Sequence, residues 1–213
     1  MLHTVGAGDC LTSLADHYGF FWQTIWNHPD NSALRLRRHD PNILAPGDVV
    51  FIPEKREKMV PAQTTMTHTF RMRGVPAKLK LTLRVDGKPI ANRPWTLRAA
   101  GCTETGTTGA DGRLVANLPP QARTGTLDVD LGDGKRTYKL RFGDVEPVDT
   151  IGGVQRRLRN LGFAVPASGL MDDATKEALA AFQASQRLNR SGELDNATRA
   201  ALAAIHDDHP ENL

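Results

Sequence analysis

The chain has 213 residues, which is enough for one large domain or for two to three small ones. Hydrophobic residues make up 39% and charged residues 24%, which is ordinary for a globular protein, and no apolar run reaches the roughly 20 residues that a membrane-spanning helix needs. The formal net charge of +3 is too small to indicate nucleic-acid binding.

The N-terminal part predicts a small domain of two strands and two helices. A strand at 3–5 leads through a turn into a helix with apolar positions from Leu11 to Tyr18, and Gly19 stands where a glycine commonly ends a helix. A second helix is predicted at 21–26, where two tryptophans one turn apart favour packing into the core. A turn of Pro, Gly and Asp then leads into a β-branched strand at 49–52.

This order of strand, helix, helix and strand resembles that of the LysM domain. The resemblance implies a LysM domain at residues 1–53. A LysM domain binds glycans containing N-acetylglucosamine in a shallow groove between the loop after its first strand and the loop before its second. Here Cys10 replaces the family's usual Thr. The resemblance implies that nine residues of these loops bind the glycan: Asp9, Cys10, Leu11, Thr12, Ser13, Pro41, Asn42, Ile43 and Leu44. The alternative is that the polar ones among them serve only as turn and capping residues.

An arginine-rich stretch at 32–40 is predicted to be an insertion beside the second groove loop. Its arginines are Arg35, Arg37 and Arg38. They are candidates to contact a carboxylate of the ligand or to bind a protein partner, and a solvated surface is the alternative.

Residues 54–66 predict a charged, non-periodic linker, and residues 67–148 predict an all-β domain. Residues 78–85 alternate polar and apolar side chains, the pattern of a half-buried strand. Further strands are predicted at 95–99, 112–116, 126–131 and 136–142. The spacing favours a β-sandwich, and the turns resemble those of transthyretin-like or Ig-like spacer domains.

Residues 149–206 predict a three-helix bundle, followed by a flexible tail at 207–213. Asp172 or Asp173 caps the second helix and Asp195 the third, whose inward stripe includes Ile205. Residues 192–198 resemble a helix entry of the three-helix peptidoglycan-binding domain (PG-binding type 1). That resemblance implies a second wall-binding site at Gly169, Leu170, Met171, Asp172, Asp173 and Gln183.

Nothing in the sequence indicates an enzyme, a cofactor or a metal site. The seven histidines are scattered along the chain, whereas a zinc hydrolase needs closely spaced ligands, and no phosphate-binding or dinucleotide fingerprint is present. The two cysteines, Cys10 and Cys102, fall in different predicted domains, which excludes a disulfide within one domain.

The sequence therefore predicts a multidomain α+β protein: a βααβ LysM domain, an all-β Ig-like or transthyretin-like sandwich and a three-helix bundle. Its expected function is non-catalytic binding of peptidoglycan, with avidity from two modules joined by the β-sandwich. The start of the chain lacks a Sec signal, so we expect synthesis in the cytoplasm and action at the periplasm or cell wall after non-Sec delivery or lysis.

Two alternatives stay open. The chain is an adaptor or structural component of a type VI secretion or phage-tail-like contractile injection system, with a secretion-spike or effector protein as partner. This is motivated by the missing signal and by residues 27–31, which, with the following arginines, resemble LysM proteins of such machines. Otherwise it is the targeting subunit of a split cell-wall lysin, with the lysin protein as partner.

Overall fold

The computed structural model describes residues 1–56, 61, 64–69, 77–85 and 87–207. Residues 57–60 and 62–63 of the predicted linker, and 208–213 of the predicted tail, lie outside this part of the chain. The described residues form six α-helices and several antiparallel sheets around three hydrophobic cores. None of these helices is both long enough and apolar enough to cross a membrane.

The N-terminal domain contains the predicted strands and helices and one helix more. In chain order it has β1 (Leu2–Thr4), α1 (Leu11–Tyr18), α2 (Trp22–Trp26), a 3₁₀ turn (Pro29–Asn31), α3 (Ser32–Arg37) and β2 (Val49–Phe51). The two strands pair antiparallel, with Leu2 opposite Phe51. Helix α3 occupies the predicted insertion, and the two tryptophans of α2 pack half-buried against the core, as their spacing favoured.

A buried asparagine fixes this additional helix to the sheet. The side chain of Asn31 donates to the carbonyls of Ile25 (2.7 Å) and Phe51 (2.8 Å) and accepts from the Phe51 amide (2.7 Å). Asn31 thereby pairs with the outer edge of β2 as a neighbouring strand would, and satisfies backbone groups that burial would otherwise leave unpaired.

The described residues of the middle domain are all-β, as predicted, and residues 70–76 and 86 of the predicted span lie outside the described part of the chain. Its strands are β3 (Ala77–Thr82), β4 (Arg84–Val85), β5 (Lys88–Pro89), β6 (Pro94–Ala99), β7 (Cys102–Thr107), β8 (Arg113–Leu118), β9 (Thr124–Asp130) and β10 (Lys135–Arg141). Four of them form a sheet in the order β10-β9-β6-β7, while β3 pairs with β8 and β4 with β5. Inward side chains of these strands, among them Trp95, Leu97 and Leu127, form the core. Strand β7 was not predicted. The Ig-like or transthyretin-like relationship stays a prediction.

The C-terminal domain consists of α4 (Ile151–Asn160), α5 (Asp173–Ser185) and α6 (Asn196–His206). Their N-caps are Thr150, Asp172 and Asp195, and each side chain accepts a backbone N–H in the first turn. The predicted inward position of Ile205 is wrong, because its side chain is 43% exposed. Asp207, the first residue of the predicted tail, forms an ion pair with Arg157 (2.7 Å).

Ionic contacts join the three domains. Arg123 of the middle domain donates to Asp9 (2.8 Å), and Arg38 donates to Asp149 just before α4 (3.1 Å). Burial raises the pKa of Asp40, and the nearby charge of Asp207 adds to this. The N-terminal domain therefore lies against both other domains, and its two predicted groove loops border these contacts.

Candidate functional site

A cavity of about 330 Å³ lies at the start of α4. It is open to solvent on one side and is bounded by the segment that leads into this helix, by the first turns of the helix and by the loop between α4 and α5. Eight residues line it: Glu146, Thr150, Ile151, Gly152, Arg156, Ala167, Ser168 and Gly169. Gly169 is one of the residues predicted for the second wall-binding site.

The first turn of α4 shapes the cavity floor. The Thr150 hydroxyl accepts the N–H of Gly153 (2.9 Å) and lies within hydrogen-bond distance of Glu146 Oε2 (3.1 Å) and of the Pro147 carbonyl (2.9 Å). At Gly152 a Cβ atom would come within 3.0 Å of Glu146 Oε2. The missing side chain at Gly152 therefore leaves room beside the Glu146 carboxylate.

Arg156 supplies the positive charge of the cavity. Its guanidinium donates through Nη1 to Asp144, which also lies 3.8 Å from Arg141. Among the described residues, the buried Nε of Arg156 has no hydrogen-bond partner. The cavity thus holds a carboxylate and a guanidinium that keeps one donor unused.

A fully buried glutamine holds the opposite wall. Oε1 of Gln155 accepts the N–H of Gly169 (2.8 Å), and its Nε2 donates to the Leu170 carbonyl (2.9 Å) and to Thr175 Oγ1 (2.8 Å). Because Gln155 belongs to α4, these bonds tie the α4–α5 loop to the same helix that forms the floor. Both walls of the cavity are therefore fixed from one element.

The same arrangement occurs a second time before α6. Gln183 accepts from Gly192 N–H (2.9 Å) and donates to the Glu193 carbonyl (2.9 Å) and to Thr198 Oγ1 (3.0 Å). Residues 168–175 and 191–198 share Ser, Gly, Asp, Ala and Thr at equivalent places. The sequence analysis missed this repeat, although self-comparison of the chain would have found it.

The repeat explains where the predicted second-site residues lie. Gly169 lines the cavity, exposed Leu170 follows it, and Asp173 is the exposed first residue of α5. Asp172 caps α5 by accepting from Thr175 N–H (2.8 Å), and Met171 packs against the core. Gln183 is 0% exposed and its amide is occupied by the loop, so the expected ligand contact at Gln183 is wrong.

The two capping aspartates predict an acid-sensitive bundle. Hydrogen bonds from Thr175 and Thr198 lower the pKa values of Asp172 and Asp195 below their ordinary value of 3.8. Because their pKa values are lowered, the two caps stabilise the folded state fully at pH values above 3.8. They lose this effect as the pH falls through the lowered pKa values. Melting temperatures from circular dichroism should therefore fall in acid, and less so in an Asp172→Asn, Asp195→Asn double variant. An equal fall of the melting temperature in acid for the unaltered chain and the double variant would contradict this prediction.

The two loops predicted to form the first glycan site do meet. Thr12 Oγ1 donates to Asn42 Oδ1 (2.7 Å), and the Leu11 amide donates to the Pro41 carbonyl (3.1 Å). Four of the predicted residues are buried and offer a ligand little surface: Leu11, Thr12, Ser13 and Leu44. The remaining surface of these loops comes from Cys10, Pro41, Asn42 and Ile43, together with Asp9.

Asp9 and Cys10 have local roles in this loop. The Asp9 carboxylate accepts from Gly6 N–H (3.0 Å) and from Arg123 (2.8 Å). Cys10 is the N-cap residue of α1, and its amide donates to the Ser13 hydroxyl (3.1 Å). A ligand at Asp9 would have to share the carboxylate with Arg123.

The three arginines predicted to meet a partner all have partners within the chain. Arg35 donates to the carbonyls of Trp26 and His28, while Arg37 and Arg38 both donate to buried Asp48 (2.8 and 2.9 Å). The side chain of Arg37 is still 58% exposed, whereas that of Arg38 is mostly covered. Of the three, Arg37 has the greatest surface left for a partner.

A second depression, of about 440 Å³, lies beside Arg37 on the outer face of the sheet formed by β1 and β2. Its lining is mainly apolar and consists of Leu2, Asp30, Ala33, Leu34, Arg37, Val49 and Phe51. The sequence analysis did not anticipate it, although Leu2 and Val49 are apolar residues on the outer side of short strands, where a solvated face would carry polar ones.

Neither cysteine forms a disulfide, and Cys102 is exposed. Among the residues that the structure describes, no group of three His, Cys, Asp or Glu side chains is placed to hold a metal ion. No curated protein and no solved structure matches the chain. One family model, described as the putative peptidoglycan binding domain, matches residues 149–202, and this supports a peptidoglycan-binding domain at the C-terminal end of the chain.

Proposed function

We propose that the protein binds peptidoglycan without catalysing a reaction, and that the cavity at the start of α4 is where its C-terminal domain holds the polymer. The observation that carries this proposal is the coincidence of the cavity with the matched residues 149–202, since nearly all of its lining belongs to that stretch. Both cavity walls are fixed from α4, as a preorganised site requires.

The N-terminal domain is proposed as a second, LysM-like wall-binding module. Its contribution would come from the surface of Cys10, Pro41, Asn42 and Ile43. Because Arg123 and Arg38 tie this domain to the other two, both modules would meet the wall as one body, and weak binding at each would combine into avidity.

The first test is co-sedimentation of the full chain with insoluble sacculi, with a Gly152→Ala variant beside it. The added methyl group would occupy the space next to Glu146, so we expect sacculus binding to weaken by about tenfold. Folding should not suffer, because alanine is favoured over glycine inside a helix by about 1 kcal/mol.

Gly134→Ala is the matched control. Gly134 lies in the turn before β10, and a Cβ atom there meets nothing within 4 Å. This variant should bind sacculi like the unaltered chain. Undiminished binding by Gly152→Ala would remove the cavity from the proposal, and no binding by the unaltered chain would refute the function.

An adaptor of a contractile injection system is the second candidate, favoured by the apolar depression beside Arg37. An exposed apolar surface with Asp30 and Arg37 at its rim is typical of a protein contact. Leu2→Asp would place a charge in this depression. Loss of co-purification with a spike or effector protein, with sacculus binding unchanged, would assign the depression to the adaptor function.

A further inference from the structure

We infer that the cavity recognises the stem peptide of peptidoglycan and not its glycan strand, with Glu146 holding an ammonium group of the peptide and Arg156 a carboxylate or carbonyl oxygen. This inference rests on the proposed function and specifies its ligand. It follows from two unused hydrogen-bonding atoms of opposite character and from the composition of the cavity walls.

The first unused atom belongs to Glu146. The Thr150 hydroxyl lies 3.1 Å from Oε2, while within the described residues no hydrogen bond reaches Oε1. An ionised carboxylate only accepts hydrogen bonds, so a ligand that satisfies Oε1 must bring a donor. A positively charged donor gives the stronger interaction, because charge-assisted hydrogen bonds exceed neutral ones.

The second unused atom belongs to Arg156. Asp144 accepts from Nη1 of the guanidinium, which fixes the side chain, while no residue in the described part of the chain accepts from Nη2, and Arg156 lines the cavity. A ligand oxygen can accept from Nη2, and because the guanidinium is positively charged this hydrogen bond is stronger than a neutral one. The cavity therefore offers a ligand one acceptor and one donor.

The two components of peptidoglycan differ in these groups. A stem peptide carries free carboxylates and, at its diamino acid, a free amine, whereas the glycan backbone presents hydroxyl and acetamido groups and no cation. None of the eight lining residues has an aromatic ring on which a sugar could stack. Three of the eight are small, namely Gly152, Ala167 and Gly169, and leave room for a peptide backbone to approach. The walls therefore suit a peptide better than a sugar ring.

Calorimetric titration of the full chain separates the two components. The probes are a synthetic stem tripeptide with its free side-chain amine, the same peptide with that amine acetylated, and peptide-free glycan oligomers. We expect the free-amine peptide to bind at least about tenfold more tightly than either other probe, as expected for loss of a charged hydrogen-bonding partner. Equal affinity for the peptide-free glycan would overturn the inference.

Two variants assign the contacts. Glu146→Gln keeps an oxygen for Thr150 and removes the charge, so it should weaken binding of the free-amine peptide about tenfold and leave that of the acetylated peptide unchanged. Arg156→Lys keeps the charge beside Asp144 but replaces the two terminal nitrogens of the guanidinium by one, which removes the Nη2 donor, so it should also weaken binding of the free-amine peptide about tenfold. Glu177→Gln and Arg159→Lys, on exposed positions of α5 and α4, are the matched controls and should bind as the unaltered chain does.

The outcomes distinguish this inference from the function on which it rests. If sacculi are bound but Glu146→Gln holds the free-amine peptide as tightly as the unaltered chain, the stem-peptide assignment is wrong and the wall-binding function stands. If the unaltered chain does not sediment with sacculi, the function fails and the inference fails with it. Far-UV circular dichroism of each variant checks that the bundle is folded.

Discussion

Gly153→Ala is expected to lower the free energy of unfolding of the C-terminal domain by about 3 kcal/mol, because the new methyl group has no space. A Cβ atom at Gly153 would lie 2.0 Å from the Pro147 carbonyl oxygen and 2.5 Å from that of Glu146. Both contacts are with backbone, which cannot turn aside as the end of a flexible side chain can. Urea denaturation followed by circular dichroism measures the loss.

The neighbouring glycine is the natural control. At Gly152 the nearest atoms are those of the Glu146 carboxylate at 3.0 Å, so Gly152→Ala should be tolerated and should raise stability by up to about 1 kcal/mol. Substitution by alanine is thus expected to raise the free energy of unfolding at Gly152 and to lower it at Gly153. Equal destabilisation by both substitutions would mean that the segment before α4 does not pack on the helix as the structure has it.

The sequence predicted features whose causes are local. Helices α5 and α6 were placed by their capping aspartates, and Asp172 and Asp195 do accept the amides of Thr175 and Thr198 three residues on. Strand β3 was placed by the alternation of polar and apolar side chains at 78–85. These signals lie within a few residues of the structure they specify, so they survive without knowledge of the fold.

Strand β7 and the cavity depend on partners that are distant in sequence. The side chains of Cys102–Thr107 are mostly exposed and polar, so no alternation marks the strand, which exists because β6 pairs with it. The cavity exists because the Glu146–Pro147 backbone packs on Gly153, and a glycine in a sequence does not say what approaches it. Of the predicted second site only Gly169 lines the cavity, because Asp172 and Gln183 are used by the caps and the core.

The partners of the arginine-rich segment could not be predicted from the sequence for the same reason. A cluster of arginines favours a surface for partners, but Arg38 pairs with Asp48 and also with Asp149, which is 111 residues further along the chain. Such a contact becomes visible only when the domains are in place. Ion pairs between residues far apart in the sequence are thus the reason why the structure differs from the predicted partner-binding role of these arginines.

Arg157→Met is expected to lower the free energy of unfolding of the C-terminal domain by about 4 kcal/mol, the effect of breaking a buried ion pair. The Arg157 side chain is 1% exposed and donates to Asp207 from Nε (3.0 Å) and Nη2 (2.7 Å). Its Nη1 also donates to the carbonyls of Glu146 (2.6 Å) and Gly153 (3.0 Å). Methionine fills a similar volume but leaves the carboxylate and both carbonyls without these donors.

The same substitution should reach the cavity. Since Arg157 holds the Glu146 backbone against α4, its loss should also weaken sacculus binding, whereas Asp207→Asn should leave that binding intact. Arg157 has two roles, the ion pair with Asp207 and the hydrogen bond to the Glu146 carbonyl. Denaturation of both variants measures the stability that each loses, and sacculus binding of the folded variants measures the effect on the cavity. Undiminished binding by Arg157→Met would show that Glu146 is positioned by Thr150 and Gly153 alone.

The pH dependence gives an independent check on this ion pair. Burial alone would raise the pKa of Asp207, but hydrogen bonds from His206 and Arg157 outweigh it and lower the pKa below 3.8. Asp207 thus stabilises the fold at pH values above 3.8, and this contribution disappears as the pH falls through the lowered pKa. In Arg157→Met, the acid-side fall in unfolding free energy should therefore be smaller than in the unaltered chain. A fall of unchanged size would mean that His206 sustains the lowered pKa without Arg157, and that the loss of stability at neutral pH comes from the two unpaired carbonyls of Glu146 and Gly153.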